Sequence, residues 1–85
     1  MKSVQVYTAN LCGYCTMAKR LLQSRGIPFE EINVTDQDEK RLWLIQTTGQ
    51  RTVPQIFIGD RPVGGYTDIA TLDRQGLLLK MVNED

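Results

Sequence analysis

The sequence predicts an α/β fold, a small mixed sheet with helices on its faces. Two observations predict it. Apolar alternation gives way to helical recurrence and then to a second apolar stretch, the signature of a βαβ unit. Later, Gly59-Asp60 stands between two short strand-like segments as a two-residue hairpin signal. The first unit demands a parallel pair of strands and the second an antiparallel pair. The order is β-α-β-α-β-β-α, a four-stranded sheet with three helices.

Ser3 to Tyr7 forms the first strand, with Val4 and Val6 on one face. From Gly13 to about Arg25, Met17, Ala18, Leu21 and Leu22 recur at helical spacing, and Gly26 closes that helix. Ile27 to Val34 is the second strand. Its apolar parity slips between Phe29 and Ile32, which predicts burial on both faces or a bulge. Thr35 and Asp38 have capping-box spacing and open a helix from Asp36 to about Thr47, ended by Gly49. Ile56-Phe57-Ile58 and Arg61 to Val63 make the hairpin. A third helix runs from Thr67 to Gln75, stopped by Gly76, and the apolar tail Leu77 to Val82 forms a last turn against the core. Trp43, Leu44 and Ile45 are assigned to packing.

Eighty-five residues are expected to form a single domain, 1–85. A chain of this size buries only about 60–65% of its extended surface, so its core must be closely patterned. Ten basic and ten acidic residues cancel, which gives no reason to expect nucleic-acid binding. No apolar run approaches the ~20 residues of a membrane span, and the first residues carry no signal-peptide pattern. The expected address is the cytoplasm.

The only two cysteines lie in Cys12-Gly13-Tyr14-Cys15, between the first strand and the first helix. Thiols three positions apart at a helix start have Cα atoms about 5 Å apart, within disulfide range. Unpaired backbone N–H groups and the helix dipole favour a thiolate at the first of them. In open sheets, ligands bind beyond the carboxyl ends of strands, where Cys12 stands. Two cysteines and no histidine cannot build an ordinary tetrahedral zinc site within one chain. Thiol–disulfide exchange is the leading reading, with a metal or cluster shared between two chains as the alternative.

Cys12-Gly13-Tyr14-Cys15, Thr52-Val53-Pro54 and Gly64-Gly65-Tyr66-Thr67-Asp68, in this order and spacing, resemble a glutaredoxin of the thioredoxin superfamily. The resemblance covers nearly the whole chain, from Val4 to about Leu78, and implies a thioredoxin-like fold. It implies that Cys12 is the nucleophile and Cys15 the resolving thiol. It implies a cis Val53–Pro54 bond facing the cysteines, with Thr52 and the Val53 backbone beside them. Glutathione's γ-glutamyl end would place its carboxylate on the N–H groups of Thr67 and Asp68 and its ammonium on the Asp68 side chain. Gly64 and Gly65 would permit close backbone approach. Arg41 stands where the family commonly contacts the glycine carboxylate of glutathione, and Tyr14 would line the groove.

Two positions depart from the family's pattern. Ala9 stands where many glutaredoxins carry a lysine, and Gly13 where proline is usual. Some members without that proline hold a [2Fe–2S] cluster between two protomers, which at Gly13 leaves the cluster reading open through Cys12. The expected function is a monomeric dithiol oxidoreductase that uses glutathione to reduce disulfide-bearing or glutathionylated proteins. The rivals are the cluster-bridged dimer and a thioredoxin-like electron donor to a reductase such as ribonucleotide reductase. The Asp68 motif weighs against the last.

Overall fold

Strand β1 (Val4–Thr8) runs through the interior of the sheet in the computed structural model, which describes residues 1–84. The order is β2-β1-β3-β4, with β2 over Glu30–Asn33, β3 over Gln55–Ile58 and β4 over Arg61–Gly64. β1 pairs parallel with β2 and antiparallel with β3, and β3 pairs antiparallel with β4. The mixed sheet follows from its connections. Helix α1 (Gly13–Ser24) returns the chain between the parallel strands. Gly59, at φ 61°, supplies the left-handed turn residue of the hairpin.

Strand alternation sorts the core onto two faces. Val4, Val6, Ile56 and Ile58 join Ala18 and Leu22 of α1, Ile69 of α3 (Tyr66–Arg74) and Leu78 and Val82 of α4 (Leu78–Asn83). Tyr7 and Phe57 point the other way, to Val34 and to Leu44 of α2 (Asp38–Thr48). Trp43 caps this smaller cluster, its ring stacked on Phe57 at 5.8 Å. The cysteine-bearing helix is therefore fixed by the larger of the two clusters.

Three expectations need correction. The tail is a full fourth helix, α4, where a last turn was expected. Leu78 and Val82, one turn apart, both drop into the core, and the Lys2 N–H donates to the Val82 carbonyl at 2.7 Å. The second strand is shorter than Ile27 to Val34 and is neither two-sided nor bulged. It lies at the sheet edge with Glu30, Glu31 and Asn33 exposed. Ile27 and Val34 are buried at its ends because Ile27 N–H bonds back to the Leu22 carbonyl of α1 (2.9 Å) and Val34 N–H to the Thr8 carbonyl (2.8 Å). Finally, α2 starts at Asp38 behind Gln37, with no side-chain cap. Thr35 Oγ1 accepts instead from the Asn10 N–H at 2.8 Å, which ties the loop before Cys12 to the loop after β2.

Candidate active site

Four residues separate β1 from α1, and the last of them, Cys12, caps the helix. Its backbone is extended (φ −116°, ψ 105°), and its sulfur accepts a hydrogen bond from Cys15 N at 3.1 Å. Cys12 and Cys15 are joined as a disulfide with Cα atoms 5.2 Å apart. Their environments differ. Cys15 is 2% exposed, packed on the same side of α1 as Ala18 and Leu22, whereas Cys12 is half-buried. An incoming sulfur reaches Cys12 first. The approach loop is clasped by side chains: Asn33 Nδ2 donates to Asn10 Oδ1 at 2.8 Å, and Asn33 Oδ1 accepts from Thr35 N at 2.9 Å.

Cys12 Sγ lies 3.8 Å from the Val53 carbonyl oxygen. The Val53–Pro54 peptide is cis. Behind it stands a residue absent from the sequence-based site, Gln55. Its side-chain amide, almost fully buried, donates to the Gln50 carbonyl at 3.0 Å and the Thr52 carbonyl at 2.9 Å. Two donors thereby hold the loop that carries Thr52 and Val53. A polar residue heading an otherwise apolar strand, Gln55-Ile56-Phe57-Ile58, was the available signal.

Helix α3 begins against the same proline. A Cβ at Gly65 would stand 3.3 Å from the Pro54 carbonyl oxygen, and one at Gly64, φ 109°, would strike the Asp68 carboxylate. Gly64 is thus demanded by close approach and by its backbone, and at Gly65 any side chain would crowd the Pro54 carbonyl. Asp68 Oδ2 accepts from Gly65 N at 2.8 Å, one half of a capping box that glycine has no side chain to complete. The helical ladder starts with Ile69 N to Gly65 O (3.1 Å), so the N–H groups of Tyr66, Thr67 and Asp68 precede it.

Thr52, Pro54, Gly64, Gly65, Thr67 and Asp68 line one groove of about 550 Å³. Arg41 does not open onto it. It lines a smaller hollow of about 180 Å³ together with Val53, and this hollow shares Gln50, Thr52 and Gln55 with the groove. Tyr14 is exposed and stacks on Tyr66, the first residue of α3, ring centroids 6.1 Å apart, and is not among the residues that line the groove.

A third hollow, about 420 Å³, flanks the cysteines on the β2 side and includes Ala9, Cys12, Cys15, Lys19, Glu31 and Asn33. Here the charges are paired. Glu31 accepts from Thr8 Oγ1 at 2.8 Å and from Lys19 Nζ at 3.1 Å. The Thr8 hydroxyl, and to a lesser degree Lys19, holds the Glu31 carboxyl below its ordinary range. Among the described residues, no group of three or more His, Cys, Asp or Glu could hold a metal ion, and no helix is long and apolar enough to cross a membrane.

The family model for glutaredoxin matches residues 4–63. A glutaredoxin of Neisseria meningitidis serogroup A is 46% identical over 84 residues, covering 98% of this chain and 99% of that protein. Glutaredoxin 3 of Escherichia coli K12 is 42% identical over 76 residues, covering 89% and 92%. Among solved structures, a buckwheat glutaredoxin–glutathione complex superposes with a TM-score of 0.87 at 36% identity, covering 93% of this chain and 74% of that one. The solution structure of a glutaredoxin from Brucella melitensis gives 0.87 at 39% identity, covering 96% and 89%.

Proposed function

The chain belongs to the glutaredoxin family, and from that premise we propose that it is a glutathione-dependent thiol–disulfide oxidoreductase working through Cys12 and Cys15. The observation that carries the assignment of roles is the contrast between half-buried Cys12, 3.8 Å from the Val53 carbonyl, and fully buried Cys15. In the reduced protein, the Cys12 thiolate attacks one sulfur of a substrate disulfide, and the other leaves as a thiolate that takes up a proton. Cys15 then attacks Cys12 Sγ, which releases the substrate's second thiol and closes the Cys12–Cys15 disulfide. One glutathione reopens that bond at Cys12. A second attacks the resulting mixed disulfide at the glutathione sulfur, with Cys12 as the leaving group. The products are oxidised glutathione and the restored dithiol. Glutathionylated proteins need only Cys12, which takes the glutathione and frees the protein thiol.

Glutathione lies along the groove between Thr52 and Asp68. Its cysteine moiety pairs with the Val53 backbone as a short strand would. Its γ-glutamyl carboxylate meets the N–H groups at Thr67 and Asp68, with Gly65 allowing the approach. Its ammonium meets Asp68. Arg41 takes the glycine carboxylate past the edge of the loop, and Tyr14 stacks on Tyr66 at the start of α3. The buckwheat complex supports glutathione as the ligand class. The protein acts as a cytoplasmic monomer on disulfide-bearing and glutathionylated proteins.

A glutathione-dependent reduction assay tests this reading directly. Cys12→Ser abolishes turnover on every substrate, while Cys15→Ser keeps turnover of a glutathionylated peptide. Equal loss in both variants on that peptide contradicts the roles. An anaerobic absorption spectrum of the same preparation with glutathione tests the rival reading, a [2Fe–2S] cluster held by Cys12 from each of two protomers. A colourless monomer rejects it.

A further inference from the structure

We infer that Asn33 and Thr35, outside the glutathione groove, are positioning residues that set the redox equilibrium of the Cys12–Cys15 pair. The inference rests on Cys12 being the sulfur that meets glutathione. Leu11 is held in the left-handed region, φ 55°, a conformation that leucine rarely takes. Its side chain is fully exposed, so packing does not hold it there, and among the described residues its N–H and carbonyl make no hydrogen bond. A backbone in such a conformation persists where its neighbours impose it. Both neighbours are fixed. Asn10 donates its N–H to Thr35 Oγ1 and accepts from Asn33 Nδ2, each at 2.8 Å, and Asn33 Oδ1 accepts from Thr35 N at 2.9 Å. Cys12 is the cap of α1, its carbonyl accepting from Thr16 N at 3.2 Å and its sulfur from Cys15 N at 3.1 Å. Leu11 is the single residue between the two.

This clasp acts on one oxidation state more than the other. Two glutathiones give two electrons to the Cys12–Cys15 bond and leave joined as oxidised glutathione. The pair becomes a Cys15 thiol and a Cys12 thiolate, and the second proton goes to water. The Cys15 N–H bonds a thiolate more strongly than a disulfide sulfur, because the acceptor then carries a charge. Few other groups share that task. Position 9 is alanine, Thr8 to Ala18 contains no acidic or basic residue, and Lys19 is tied to Glu31 at 3.1 Å. Gly13, with open space around it, does not stiffen the start of α1. The aim of the N–H donors at Cys12 therefore depends on the loop before it. Without Asn33, Leu11 relaxes towards its ordinary backbone and carries Cys12 away from those donors. The dithiol state then loses more than the disulfide.

The test equilibrates the wild type, Asn33→Ala and the double variant Asn33→Ala/Leu11→Asn in fixed mixtures of reduced and oxidised glutathione. Each sample is quenched in acid, and the ratio of dithiol to intramolecular disulfide is read by mass spectrometry. Asn33→Ala should hold about fivefold less dithiol than the wild type, the difference between a charge-assisted and a neutral hydrogen bond. Asparagine at position 11 takes the left-handed region far more readily than leucine and so needs less of the clasp. The double variant should therefore return to within about twofold of the wild type, a coupling that two independent sites would not show. A ratio in Asn33→Ala equal to that of the wild type, whether or not its melting temperature falls, would overturn the inference and leave the glutathione reading intact. So would a double variant shifted as far as Asn33→Ala alone. A wild-type disulfide that glutathione does not open would overturn the glutathione reading and the inference together.

Discussion

Two hollows, one lined by Cys12 itself and the other running from Thr52 past the cis proline to Asp68, are built in opposite ways. On the β2 side, the polar groups answer one another: Lys19 and Thr8 on Glu31, Asn33 on Asn10. On the other side, the groove from Thr52 to Asp68 presents the opening N–H groups of α3, and only one Asp68 oxygen is engaged, by Gly65 N. Hydrogen-bonding groups already satisfied have little to offer a ligand, and separating them would cost desolvation of both partners. Volume alone, about 420 Å³ against 550 Å³, would not have distinguished the two sides. Unspent donors do. The β2-side hollow ties down the loop that holds Cys12, and the other is the one proposed to receive glutathione.

Substitutions on the two sides should therefore separate cleanly. Asp68→Ala should have the largest effect, since a charge-assisted contact worth on the order of 1.5–3 kcal/mol corresponds to roughly a ten- to hundredfold rise in the glutathione KM. Asp68→Asn sharpens the point. It keeps an acceptor for Gly65 N but loses the charge, so KM should rise while the melting temperature holds. Gln55→Leu comes next. Removing its two donors takes away both hydrogen bonds that tie the loop at the Gln50 and Thr52 carbonyls, at about 1–3 kcal/mol of stability in urea unfolding. The loosened loop should also raise the glutathione KM.

Arg41→Ala should raise KM by at most about fivefold, the upper end of a solvent-accessible ion contact of ~0.2–1 kcal/mol. On the β2 side, Glu31→Gln should leave KM unchanged and appear only in acid stability. The folded protein holds the Glu31 carboxyl below its ordinary value of 4.5. Its contribution is thus present above that pH and is lost as pH falls through the depressed folded value. The difference in unfolding midpoint between wild type and Glu31→Gln should shrink on acidification below about 4.5. A Glu31→Gln variant with a tenfold higher KM would erase the contrast between the two sides.

Much of this was legible in the sequence, and the parts that were not have a common cause. Periodicity located the sheet and the first three helices because they obey local rules, and Gly59 marked its own turn. The Thr35 cap failed because its hydroxyl had a better use 25 positions away, on Asn10. Long-range hydrogen bonds compete with local motifs and leave no trace in spacing. The same holds for Gln55, whose partners become apparent only when the loop folds back. α4 was underestimated because six residues carry little periodic signal, and the sheet face that buries Leu78 and Val82 is formed by distant strands. Arg41 stands on the expected helix but opens onto a different hollow from Asp68. Distance along the chain could place it near the loop without saying on which side.

The most direct measurement is an amide shift map of glutathione trapped as a mixed disulfide on Cys12 of Cys15→Ser, compared with the same variant reduced. Shifts should concentrate at Thr52, Val53, Gly65, Thr67 and Asp68, with a smaller change at Arg41, while Lys19, Glu31 and Asn33 stay in place. Shifts confined to Lys19, Glu31 and Asn33, with Thr67 and Asp68 unmoved, would put glutathione in the self-satisfied hollow and contradict the account.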